Sequence, residues 1–544
     1  MLITHAASLL TRSPKLTGML QQRWHLFASG GTHSFLSTAF QRISFPSSLP
    51  TFPPKRTVSI PLLCRHWRGI LLRHGALWSQ LFLGKGEECI STLLERAKGS
   101  ALDVITSRNA PVGTISLISP RAQQIMNLEF MGNYWQDIMA FSELNSGQLP
   151  LLRALGIVSP EAFDPHHQPV VVTPSSIPLF RGSINLQYLV LCLQKLSSLS
   201  HFLFPNLTTF KLFSTTAEEC SATSLLDFLK ASPQLQTVEM TISAKIVLES
   251  IPQETVVILP DVKTFSLHVI VANGTVPQVY DIAAHVSCPC AKYTSLMQDM
   301  YDDEMNADLE VFPTPGSWNT IIRQYAASPV EEVIFEIKPS AGVRIACFLT
   351  FRSSDETVVI VGLRIYETDA DKGDLNMSLV EMGRKIFSKA LVTIRNHPLL
   401  SHVKRPHINQ RAAMSKTRQM GIANEVWGLF TSLGPLDELS IRGCDLHIPL
   451  ANFIETQGLY RSGYHTIFPR IKELRILYPS TEGDEMECVN MIVALAKIQH
   501  GLEIPFKCVT VRTWDLHAGI VEELRRWVAA VDYNVWCREE GEDM

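Results

Sequence analysis

Six times between residues 125 and 267 the chain repeats the spacing L-x-x-L-x-L: Ile125-x-x-Leu128-x-Phe130, then frames opening at Leu152, Leu186, Leu207, Leu235 and Val262. Successive starts differ by 27, 34, 21, 28 and 27 residues. The spacing returns at Val403, Leu436, Ile471 and Phe506, with steps of 33, 35 and 35. Apolar residues two apart at the end of each frame predict a short strand with one buried side. Pro150, Pro205, Pro233 and Pro260 each stand two residues before a frame and announce the strand. Between frames lie stretches of helical spacing, such as Ser224 to Lys230, Glu425 to Leu433 and Val489 to Ile498. One strand and one helix cannot cover their own apolar faces. Units of this kind are stable when neighbours stack, strand beside strand and helix outside.

The pattern resembles a degenerate leucine-rich repeat, although the asparagine of that family's L-x-x-L-x-L-x-x-N is mostly absent, as in Leu212-Phe213-Ser214-Thr215. The resemblance implies a curved solenoid with a sheet on its concave side. The middle of the chain departs from it. Val330 to Ile337, Ile345 to Phe351 and Thr357 to Ile365 are closely spaced strand-like runs with turn signals at Pro339–Gly342 and Ser353–Asp355. Too few residues separate them for crossover helices, so they read as an antiparallel meander. Ala284 to Ser317 reads as an irregular surface connection. A helix is expected around Leu379 to Ile394. Pro406 weakens its frame, because proline cannot donate to a ladder and belongs at an edge or a bulge. A closing helix over Val521 to Val531 precedes an acidic tail, Arg538 to Asp543.

Ahead of the repeats, Ile60 to Leu83 is different in kind. Leu63, Trp67, Ile70 and Leu71 fall at i, i+4, i+7 and i+8 and line one face of a helix, while Arg65, Arg68 and Arg73 lie mostly off that stripe. Gly75 stops the helix, Leu77 and Trp78 give a second apolar anchor, and Leu81-Phe82-Leu83 is suited to a short strand. Leu63-Cys64-Arg65-His66-Trp67-Arg68 followed by Leu77-Trp78 resembles the second half of an F-box. Leu93 to Leu102 is similar to the segment that follows the F-box in mushroom-type fungal proteins. That family's opening Leu-Pro-x-Glu helix has no counterpart in Ser44 to Arg56.

What the resemblance implies is a substrate adaptor of a Skp-cullin-F-box ubiquitin ligase, with no chemistry or cofactor of its own. Leu62, Leu63, Trp67, Leu77 and Trp78 are the residues expected to dock on a Skp-type adaptor and its cullin complex, leaving the repeat surface for an unidentified target protein. The other reading is a repeat-type interaction module without ligase docking. In that case the same apolar residues pack linker helices against the first repeat.

Composition narrows the classes. Hydrophobic residues at 46 % and charged residues at 18 % describe a globular chain, and a net charge of −4 argues against a general nucleic-acid surface. No apolar run reaches the roughly 18 residues a bilayer requires. Eleven cysteines without regular spacing suit a reducing compartment, cytoplasmic or nuclear. No Asp or Glu precedes Glu87, so Met1 to Gly31, with Arg12, Lys15 and Arg23, also has the composition of a mitochondrial transit peptide. Gly84-Lys85-Gly86-Glu87 lacks the pattern of a phosphate-binding loop. Cys288-x-Cys290 has no second pair to complete a zinc site, and His166-His167 follows a turn-forming Asp-Pro. No serine, histidine and acid arrangement suggests an activated nucleophile.

The expected organisation is α/β: a basic leader over 1–43 and a short helical F-box-like segment over 44–102. Leucine-rich-repeat-like units follow over 109–283, with an irregular connection and β-meander over 284–370. Further repeats with a closing helix occupy 371–544.

Overall fold

The computed structural model describes residues 72, 74–106, 112–131, 149–158, 185–193, 204–214, 222–243, 256–271, 279–301, 328–340, 343–366, 398–410, 436–442, 471–477, 485–513 and 518–535. The basic leader, the helical stripe carrying Leu62, Leu63 and Trp67, and the helices expected at Leu379–Ile394 and Glu425–Leu433 lie outside the described residues. The chain is mixed α/β, with few helices and a large sheet in which parallel pairing dominates. It separates into two compact units, Met1–Asn145 with Leu151–Asp164, and Ser146–Pro150 with Pro165–Met544.

Among the described residues of the first unit, a 3-10 turn, Gly75–Trp78, feeds strand β1, Gln80–Phe82. Helix α1, Glu87–Ala97, follows the turn at Gly84–Gly86; Glu87 and Glu88 in its first turn complement the helix dipole. It buries Ile90, Leu94 and Ala97, which lie at i, i+4 and i+7. Strand β2, Leu102–Thr106, pairs parallel with β1. After helix α2, Val112–Ile118, and a 3-10 stretch, Ser119–Gln124, come β3, Ile125–Met131, and β4, Ala154–Val158, both parallel to their predecessors. The frame residues Ile125, Leu128 and Phe130 are all buried, as expected from their spacing.

The second unit opens with β5, Tyr188–Leu193, β6, Thr209–Ser214, helix α3, Ala222–Lys230, and β7, Thr237–Ser243. A two-residue strand β8, Val257–Ile258, precedes β9, Thr264–Val271. Helix α4, Val279–Ala284, leads to β10, Val286–Ser287, which pairs with β8 in a small separate sheet. Strands β5, β6, β7 and β9 follow one another in parallel, as the frames predict. The stretch expected to be an irregular connection instead contains a nine-residue strand, β11, Tyr293–Tyr301, parallel to β9.

The meander is present as β12, Val330–Ser340, β13, Val343–Ser353, and β14, Val358–Tyr366. Its strands are antiparallel to one another and enter the main sheet in reverse order. β14 lies parallel to β11, β13 lies between β14 and β12, and β12 lies parallel to β15, Arg405–Gln410. The β13–β14 turn is closed by Asp355, which accepts from the Ser353 hydroxyl and from the Thr357 backbone N–H at 3.3 Å. The Ser353 hydrogen bond is the chief reason its carboxyl is held well below the usual range, with Thr357 and Lys292 adding to it against burial. Lys292 Nζ reaches the same carboxylate at 3.3 Å from the residue before β11.

Parallel pairing then continues through β16, Leu436–Arg442, β17, Ile471–Leu477, β18, Cys508–Thr513, and β19, Ala530–Val535. Helices α5, Glu485–Gly501, and α6, Ala518–Arg525, connect the last three strands. The closing helix is therefore shorter than expected and gives way to a strand. Pro406 sits buried in β15, a strand paired on both sides, opposite Val333 of β12. Register with β16 begins at His407, one residue past the proline.

One row of residues runs across the second unit at the same register: Phe210, Val238, Phe265, Thr294, Val359 and Phe351. It faces the helix layer, because Phe210 packs on Phe228 of α3 at 4.6 Å between ring centroids. Alternate residues point to the opposite side. No helix among the described residues is long and apolar enough to cross a membrane.

Candidate partner-binding surfaces

Of the five expected docking residues, Leu77 and Trp78 fall within the described residues, and the turn they share treats them differently. Leu77 is 47 % exposed, a large apolar side chain outside the core. Trp78 is half-buried, with the Arg96 guanidinium 4.7 Å from its ring centroid in a cation–π contact. The turn is held locally by the Leu77 N–H donating to the His74 carbonyl and by the Ser79 hydroxyl donating to the Ala76 carbonyl. Gly75 lets it seat against the end of α1. A Cβ there would lie 2.6 Å from the Ala97 carbonyl oxygen and 2.7 Å from Ser100 Oγ. Phe82 of β1, 40 % exposed, adds apolar surface beside this turn.

A second surface is the side of each strand opposite the frame residues. In the first unit it carries Asp103, Asn127 and Glu129. The Asn127 amide donates to Asp103 Oδ1 at 2.6 Å, and burial outweighs that bond to raise the Asp103 carboxyl above its ordinary value. Glu129, between Ile105 and Gly156 in register, is 7 % exposed, and burial pushes its carboxyl up to about 7.

In the second unit the same side carries an ordered set of charges. Lys211 and Glu239 of β6 and β7 lie directly opposite and meet at 2.7 Å. His268 Nε2 is 2.8 Å from the buried Asp299 Oδ1. Further along, Glu332 has His407 Nε2 at 2.8 Å on one side and Arg352 Nη1 at 3.3 Å on the other. Burial lowers the His407 pKa; Glu332 opposes this, while Arg405, Arg352 and Arg475 reinforce it. Arg475 lies between Glu438 and Glu473 at 3.3 and 3.4 Å. Burial raises the Glu438 carboxyl, with Arg475 the main opposing charge.

Lys211, Glu239, His407, Glu438, Glu473 and Arg475 occupy the variable positions of the frames, as in Leu436-x-Glu438-Leu439-Ser440-Ile441. Alternation signals which side they take; which of them meet depends on strand order. Elsewhere, Cys288 is buried and burial pushes its thiol up to about 12, while Cys290 is exposed, so the two do not face a common site. Among the described residues no group of three His, Cys, Asp or Glu is placed to hold a metal ion. Gly84–Gly86 is the turn before α1, and His166-His167 lies outside the described residues. Comparison with known proteins returned no matching family model and no matching curated protein.

Proposed function

We propose that this chain is the substrate-recognition adaptor of a Skp-cullin-F-box ubiquitin ligase, its repeats forming a leucine-rich-repeat-like solenoid that holds the target. The observation that carries the reading is the exposure of Leu77 beside an anchored Trp78, at the point where the F-box-like sequence runs into the first parallel strands. Leu77 and Phe82 together leave exposed apolar surface at this turn, the kind of surface a partner can cover. Leu62, Leu63 and Trp67 would complete that contact from the preceding helical stripe. The in-register parallel strands, with charged side chains along the side away from the helices, support the second half of the reading. Catalysis would be by proximity: the adaptor raises the effective concentration of a bound target near a ubiquitin-charged enzyme and supplies no reacting group. Such work belongs in the cytoplasm or nucleus.

The test is capture of a purified Skp-type adaptor by the full chain, beside a Leu63→Asp, Trp67→Ala double variant and a Leu77→Asp variant. Capture by the parent with loss in both variants supports docking through this segment. Failure of the parent to capture the adaptor leaves a repeat-type interaction module without ligase docking.

A further inference from the structure

We infer that the side of β12–β18 opposite the buried frame residues docks an extended polypeptide segment rich in Asp and Glu, held by Arg352, Arg405, Arg475 and Arg512. This names the target chemistry of the surface assigned above and rests on that reading.

Two carboxylates of this region, Glu332 and Glu438, lie low, Glu331 and Glu473 are 33 % and 40 % exposed, and the guanidiniums stand highest in each pair. Side chains of Glu332 and Glu438 are 14 % and 12 % exposed, whereas those of Arg352, Arg405 and Arg475 are 50, 48 and 45 % exposed. The guanidinium is therefore the more exposed member of each of these pairs.

The internal pairs are also slack. Arg352 approaches Glu332 at 3.3 Å, Arg405 approaches Glu331 at 3.6 Å, and Arg475 approaches Glu438 at 3.3 Å. A well-formed pair of this type closes to about 2.8 Å, as Lys211 and Glu239 do at 2.7 Å on the same side of β6 and β7. Each of the three arginines makes these contacts through one terminal nitrogen, leaving the remaining donors of a five-donor fork for another acceptor. Arg512 of β18 is exposed and lies in register between Leu477 of β17 and Asn534 of β19, neither of them a carboxylate.

Spacing favours an extended chain. Arg352 and Arg405 flank β12, two strand separations or roughly 10 Å apart. Arg475 and Arg512 continue the series across β17 and β18. A strand-like peptide places same-side residues roughly 7 Å apart, so carboxylates along it can meet successive guanidiniums. The close approach of His407 Nε2 to Glu332 at 2.8 Å lies beneath the arginines.

The probe is a fluorescent twelve-residue peptide alternating Glu and Asp with Ser, titrated with the full chain in moderate salt. Its controls are the Gln and Asn counterpart and a single-stranded RNA of equal charge. The acidic peptide is expected to bind, the neutral one to bind at least tenfold more weakly, and the Arg352→Gln, Arg475→Gln, Arg512→Gln variant to lose about tenfold in affinity. Unchanged melting of that variant separates lost contact from lost fold. Equal binding of both peptides, stronger binding of the RNA, or unchanged affinity in the variant overturns the inference. The Skp-type capture distinguishes the two proposals: the arginine variant should still capture the adaptor, and the Leu77→Asp variant should still bind the peptide.

Discussion

Met297 of β11 and Phe348 of β13 close over Gly362 of β14, so that both are almost fully buried on the side of the sheet away from the helices. A Cβ at residue 362 would stand 2.5 Å from Met297 Sδ and 2.8 Å from Phe348 Cδ1. The glycine is what allows the meander to be sealed against the parallel strands at this point, with Ile360 packed alongside. Gly362→Ala is expected to destabilise the chain by roughly 1–3 kcal/mol through overpacking. Met297 is flexible and Phe348 is not, so adding Met297→Ala should recover part of the loss. Urea denaturation of the single and double variants measures it; equal or greater stability of Gly362→Ala contradicts the contact.

Thr294 offers the opposite sign. It is fully buried between Phe265 and Val359 in register, and its hydroxyl has no hydrogen-bond partner. Thr294→Val removes the cost of an unpaired hydroxyl at nearly constant volume and should stabilise by about 1 kcal/mol. A lowered denaturation midpoint would count against this account.

Glu129 makes stability depend on pH. Burial raises its carboxyl from 4.5 to about 7, so the folded state holds the proton over a window in which the unfolded state has released it. The contribution is fully present below pH 4.5 and is lost as pH rises through about 7. The loss amounts to about 3 kcal/mol. Glu129→Gln should be more stable than the parent at pH 8 and flatter between pH 5 and 8. Parallel pH profiles for the two proteins would refute the assignment.

Gly75 holds the Leu77–Trp78 turn against α1. Gly75→Ala sets a Cβ against the Ala97 carbonyl, a backbone atom that cannot step aside. The turn is expected to shift, Trp78 to leave Arg96, and tryptophan fluorescence to move to longer wavelength with little change in global melting. Arg96→Ala should reproduce part of that spectral change. An unaltered spectrum in both variants would show that the glycine and the cation–π contact do not set the turn.

The period of the apolar residues was enough to locate most strands. Wherever the burial of a frame position is described, it is buried, because that spacing has one way to hide all three side chains. Ser224 to Lys230, Val489 to Ile498 and the three meander runs were legible for the same reason. Strand β11 was not, since its inward positions include Thr294 and Gln298, polar residues that only a packed neighbour can place inside. Strand β19 was hidden behind a helix whose apolar spacing carries on past its end. As for the surfaces, the Leu77-Trp78 pair could be picked out from local order, but which of the two is exposed depends on Gly75, Arg96 and Ala97 meeting in space.

The sequence by itself determined which apolar residues of the frames turn inward and where the parallel run is interrupted, because alternation and turn chemistry are local. The tertiary structure alone decided which charged residues share a site. Glu332 meets His407 and Arg352 because the meander enters the sheet in reversed order, bringing β13 to one side of β12 and β15 to the other. These neighbours are 20 and 75 residues away along the chain, and electrostatic contact follows the order of strands in space.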